Sequence, residues 1–244
     1  MSKRIKFFLN HLAISFITAL IVMGMVFFIW YPTPLAKAVG VTHIFLMMLA
    51  IDVIVGPFLG FLVYKDGKKT LKIDLSIIVL LQILALLYGV YSIAQGRPVW
   101  TVYSIDRFEL IKNNEIIDQN IKIAKNEYQK VSWYGVKFVG LQLSQDREQR
   151  DKDTFYEVFS GGSLARHPER YVPLEKVKHQ IQQRAQNLKY LEHYNDPKVV
   201  HTTLARYPQA TAFVPLKANA VDMTVLIDRE KGEVVKIVDL RPWQ

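Results

Sequence analysis

No cysteine occurs in the 244 residues. That excludes a disulfide framework, a thiolate nucleophile and a thiolate metal site. It suits cytoplasm and bacterial periplasm equally. Also missing are Gly-x-Gly-x-x-Gly, a Walker loop, Gly-x-Ser-x-Gly and His-Glu-x-x-His, the signatures of dinucleotide, nucleotide, acyl-transfer and zinc-peptidase sites. His167, His179, His193 and His201 lack tight ligand spacing, so the sequence asks for no metal and no cofactor. Acidic residues are scarce in one region only. Residues 1–94 hold eight Lys and Arg against three Asp and Glu, while the rest hold 23 against 19. A basic excess can mark a nucleic-acid binder. Here the densest basic runs flank apolar segments, which points to a membrane and away from nucleic acid.

What the first 94 residues do have is long apolar runs. A bilayer-crossing helix needs about 20 mostly apolar residues, and three stretches qualify, at about 12–30, 42–64 and 75–94. Ala36-Lys37-Ala38 imitates a signal-peptidase site. The apolar run before it exceeds the about 7–15 residues of a signal peptide, so an uncleaved anchor is expected. Lys3, Arg4 and Lys6 precede the first span, Lys37 alone separates the first two, and Lys65, Lys68, Lys69 and Lys72 separate the last two. Basic loops face the cytoplasm, so the N-terminus lies inside and everything after Ala94 outside. Trp30, Tyr31, Tyr64, Tyr88 and Tyr91 mark the interfaces. The expected organisation is a membrane domain, residues 1–94, and an extracytoplasmic domain, residues 95–244.

Within the second span, Asp52 is expensive to keep in lipid. Asp52, Gly56 and Gly60 share one helix face, and Gly56 with Gly60 allows close approach of another helix. Pro57 frees a carbonyl that a neighbouring helix or water must satisfy. The third span offers Gln82 at similar depth, on a stripe with Ala85 and Gly89. An Asp52–Gln82 hydrogen bond with the glycine stripes in contact is expected. Asp52 then either staples the bundle or shares its face with a helix of another protein. Intramembrane aspartyl proteolysis needs a second facing carboxylate and a Gly-x-Gly-Asp setting, and neither is present. His43 sits on the opposite side of its helix from Asp52.

The remainder reads as a small α+β domain. Val99–Ser104, Phe108–Ile111 and Gly135–Leu143 are strand-like. Asn114–Lys130 reads as an amphipathic helix, Arg147–Phe159 as a charged helix stopped by Gly161-Gly162, and Leu174–Tyr194 carries helical apolar spacing. Asp196-Pro197 opens a short helix with Asp as N-cap. Ala220–Asp228 and Glu233–Leu240 form a hairpin whose Gly232 supplies positive φ, and Phe213-Val214 adds a strand. No nucleophile, base and oxyanion site assemble, and the chain reads as no enzyme.

Several stretches together carry a family resemblance: Trp30-Tyr31-Pro32 with Pro34-Leu35, Ile51-Asp52 with Gly56-Pro57, and Lys68–Leu75 with Gln82. Tyr88-Gly89, Gly96-Arg97-Pro98-Val99, Asp106-Arg107-Phe108 and Asp239-Leu240-Arg241-Pro242-Trp243 complete the set. The chain resembles bacterial type IV pilin accessory proteins of the TfpX/TfpZ type. The resemblance implies a multi-pass inner-membrane protein that aids assembly, stability or surface display of a pilin, with no catalytic residues. Its implied partners are the pilin's transmembrane helix and periplasmic head, the bilayer and other pilus assembly proteins. A membrane-anchored periplasmic ligand sensor and a membrane enzyme are the competing classes. Trp133, Tyr134, Tyr171 and Trp243 are candidate contacts to a pilin head, since aromatics favour interfaces.

Overall fold

The structure, a computed structural model, describes residues 1–243. The chain divides into two compact units, one formed by residues 1–36 with 40–96, the other by Lys37–Val39 with everything from Arg97 onward.

The first unit is helical. Helix α1 (Lys3–Met25) runs into a π-helical turn, Val26–Trp30. A short α2 (Leu35–Val39) leads through left-handed Gly40 into α3 (Val41–Val63), and α4 (Leu71–Gln95) completes the set. Ser2 Oγ accepts the Ile5 N–H at 3.3 Å and caps α1. Three helices are long and apolar enough to cross a membrane, and only 17%, 22% and 11% of their most apolar windows are buried. Side chains from Leu87 (60% exposed) to Phe28 (85%) point outward. Water would not tolerate such a surface, so lipid is its solvent. The protein is anchored in a membrane by these helices, followed by an α+β domain. Helix α3 packs on both α1 and α4.

The second unit is built on one seven-stranded sheet, ordered β4-β3-β1-β2-β5-β6-β7. Its strands are β1 (Pro98–Ser104), β2 (Arg107–Lys112), β3 (Lys137–Leu141), β4 (Tyr171–Val172), β5 (Ala212–Lys217), β6 (Met223–Asp228) and β7 (Glu233–Val238). The β1/β3 and β2/β5 pairs are parallel, the others antiparallel. Trp100, Tyr128 and Tyr171 meet edge to face at 5.4–5.9 Å on one half of the sheet. Such pairs contribute about 0.5–1.5 kcal/mol each beyond burial. Leu191, Val200, Phe213, Leu226 and Leu240 fill a second cluster. The unit also holds helices α5 (Arg147–Ser160), α6 (Lys178–Arg184) and α7 (Pro197–Leu204). Gly161 closes α5 at φ 61°, Asp196 caps α7 through Lys198 N at 2.7 Å, and Gly232 turns the last hairpin at φ 63°.

Two expected helices do not form as such. Between Asn113 and Lys130 the chain makes only short 3₁₀ turns, Asn113–Glu115 and Ile121–Ile123. Nearby side chains and one distant carbonyl claim the backbone groups a helix would use. Glu115 Oε2 accepts Lys112 N at 3.0 Å, Ile117 N donates to Arg166 O at 2.9 Å, and Gln129 Nε2 donates to Ala124 O at 2.7 Å. The stretch 174–194 is broken into a 3₁₀ turn, α6 and a second 3₁₀ segment, Leu188–His193. The break comes where Gln186 exchanges both backbone hydrogen bonds with Phe213 of β5, at 2.7 and 3.0 Å. The apolar spacing still identified the buried side, because Val177, Ile181, Ala185 and Leu191 are all buried.

Candidate functional site

The polar residues of the spans converge on Gln82. Its Nε2 donates to the Asp52 backbone carbonyl at 2.9 Å and to Ser15 Oγ at 3.0 Å. With both amide hydrogens used, its Oε1 is the acceptor, 2.9 Å from His11 Nε2. His11 Nε2 is therefore the donor in this bond. One side chain on α4 thus binds α1 twice and α3 once. Buried polar links of this kind hold helices together where lipid offers no competing partner.

Gly56 makes the reach possible, since a Cβ there would lie 2.0 Å from Gln82 Oε1. Gly60 faces Phe7, whose Cε1 would stand 2.9 Å from an added Cβ, and Gly89 faces Met48 Sδ at 2.0 Å. Pro57 is buried as well. The expected contact of glycine stripes is thus replaced by glycines receiving side chains: Gly56 takes Gln82, Gly60 takes Phe7 and Gly89 takes Met48. The expected Asp52–Gln82 bond also changes form, because it uses the Asp52 main chain. Asp52 Oδ2 is buried and meets no donor among the described residues.

Asp52 also lines a cleft of about 380 Å³. Ile14 and Ala19 of α1 form one wall, Val79, Ile83 and Leu86 of α4 the other, and Leu49 and Asp52 of α3 the base. His11, Ser15 and Gln82 also line it. An apolar trough with a few polar groups at its floor can take apolar side chains and recognise one hydrogen-bonding group. His11 and Ser15 did not stand out in sequence, although their spacing of four puts them on one face of α1.

In the second unit, the candidate aromatics separate into two kinds. Tyr171 is buried and donates its hydroxyl to Ala165 O, and Trp243 Nε1 donates to Asp222 Oδ2 at 2.7 Å. Both belong to the domain's own packing. Trp133 and Tyr134 are 61% and 76% exposed. Ser163 Oγ, after the glycine pair, donates to Glu109 Oε2 at 2.7 Å and completes a turn.

Residues 1–40, which include His11 and Ser15, match the family described as Fimbrial assembly protein FimB. The fimbrial assembly protein of serogroups C1 and C2 from Dichelobacter nodosus is 34% identical over 109 residues, 44% of this chain and 83% of that relative. The chain belongs to the fimbrial assembly protein family. The serogroup E1 and serogroup I members from the same organism are each 28% identical over 228 residues, 90% of this chain and 88% of theirs. This is the type IV pilus accessory class that the ordered motifs resemble. No solved structure matches the chain.

Proposed function

We propose that this fimbrial assembly family member is a non-catalytic accessory factor of type IV pilus biogenesis in the bacterial inner membrane. It holds a pilin subunit by the transmembrane helix and the periplasmic head and aids its assembly, stability or surface display. The observation that carries this reading is the cleft between α1 and α4: an apolar trough, inside a membrane-anchored bundle, of a size and lining suited to side chains of one further helix. The glycine face of α3 is filled by this chain's own residues, so a visiting helix has the cleft available and not that face.

The basic loops put the N-terminus in the cytoplasm and the second unit in the periplasm. A further observation supports that arrangement. Ala38 O accepts the N–H groups of Ala220 and Val221 at 2.9 and 3.2 Å, and Lys37 Nζ reaches Asp239 Oδ2 at 2.6 Å. These contacts support placing the segment between the first two spans and the domain after the third on one side of the membrane, as three crossings require.

A photoreactive residue at Ile83, on the cleft wall, should capture pilin in cells, while one at Leu62 should capture lipid. Capture of only lipid or the chain's own helices at Ile83 would reject the cleft as the docking place. Alkaline phosphatase fused after Trp243 should be active.

A further inference from the structure

The chain leaves its third span without a spacer: α4 ends at Gln95, Gly96 is its cap, and Arg97 is followed at once by β1. The start of β1 is thus tethered by the chain itself to the last span, and the sheet register shows which residues neighbour that start. In the antiparallel pair, Pro98 stands opposite Lys112, and Asn113 N donates to Arg97 O at 2.9 Å. In the parallel pair, Trp100 stands opposite Lys137, so the residues just before β3 run beside the start of β1. Those residues are Trp133 and Tyr134. The Arg97 guanidinium lies 4.6 Å from the Trp133 ring centroid, and Ser132 Oγ both accepts the Tyr134 N–H at 3.1 Å and donates to its carbonyl at 2.8 Å. The loop is pinned, with its two rings outward.

We propose that this edge of the second unit rests in the lipid interface, with Trp133 and Tyr134 inserted among the headgroups. The chemistry suits that one occupant. Trp and Tyr place an apolar ring and a polar tip at the boundary between hydrocarbon and water. Exposed Lys130 and Lys137 flank the rings and match anionic headgroups in charge. This placement goes beyond the pilin-holding reading and stands without it.

The absence of cysteine makes the test direct. Nitroxide labels are placed on Tyr134→Cys and, at the far end of the same strands, on Asp106→Cys, in the full chain in nanodiscs of equal parts phosphatidylcholine and phosphatidylglycerol. The Tyr134 label should be several-fold more accessible to oxygen than to a water-soluble nickel chelate, and the Asp106 label the reverse. Equal chelate access at both positions would overturn the proposal. So would shielding of the Tyr134 label from both reagents, which signals a protein contact. Should Tyr134→Cys not fold, quenching by brominated lipid, taken as the difference between the parent chain and Trp133→Phe, reads the same point: no difference overturns it.

Discussion

The amide of Gln82 occupies the space where a side chain at Gly56 would begin, 2.0 Å from the position of an added Cβ. The two residues form one device, in which a missing side chain on α3 admits a long polar one from α4. Gly56→Ala should therefore expel Gln82 and break its bonds to His11, Ser15 and the Asp52 carbonyl. Interhelical hydrogen bonds in membranes contribute about 0.6–2 kcal/mol each. A loss of about 2–3 kcal/mol is expected, read as a lower midpoint in denaturant titration of the detergent-solubilised chain. In a Gln82→Ala background the same Gly56→Ala change should cost far less. Additive effects of the two would show that they do not act through each other.

A parallel case sits in the sheet. A Cβ at Gly140 of β3 would lie 2.5 Å from Val177 Cγ2, and both residues are buried. Gly140→Ala should destabilise the second unit by about 1–3 kcal/mol through overpacking. Val177→Ala should recover part of that loss in the double variant, which thermal melts followed by near-ultraviolet circular dichroism would measure.

The three spans were legible because about 20 apolar residues in a row suit few settings besides a bilayer. Gln82 was legible as a polar residue inside one of them. Its partners were not, since they lie on another helix and on a main-chain carbonyl, and spacing within one segment is silent about both. His11 and Ser15 gave only a spacing of four on a helix whose basic start drew the eye. Beyond the spans, turn chemistry placed Gly232, Gly161 and Asp196 well, because each of those roles is local. The region 113–130 failed for the opposite reason: Arg166 O takes the Ile117 N–H from a distance, while Glu115 and Gln129 bind neighbouring main-chain groups in place of helical bonds. The sheet order, with two parallel pairs, depends on long-range contacts that no local pattern encodes.

Alkaline pH should test the second unit's core. Burial, helped by the nearby Asp106 charge, pushes Tyr103 up to about 12, and burial also raises Tyr171. In the unfolded chain a tyrosine titrates near 10. A raised folded pKa means that the neutral phenols' stabilising contribution is complete below about pH 10 and is lost as pH climbs from there through the folded value. Ultraviolet titration should thus show the exposed tyrosines ionising first. A late, cooperative phase should coincide with loss of circular dichroism signal. Ionisation of all twelve tyrosines in one early step would contradict this.

Asp52 separates stability from function. Its Oδ2 is buried without a donor among the described residues, and a buried polar group in that state costs free energy. Removing it should relieve the chain: Asp52→Leu should unfold at the parent's temperature or above and Asp52→Asn near the parent's, because the hydrogen bond from Gln82 uses the main-chain carbonyl that both variants keep. If the carboxyl serves a visiting helix, both variants should still lose surface pili. A residue that only staples the bundle predicts the other pattern, with lower melting temperature, lower accumulation in the membrane, and pili falling in proportion. Melting in nanodiscs alongside pilus counts, at matched protein level, distinguishes the two. Normal pili in both variants would remove Asp52 from the docking site and leave recognition to the apolar walls around Ile83.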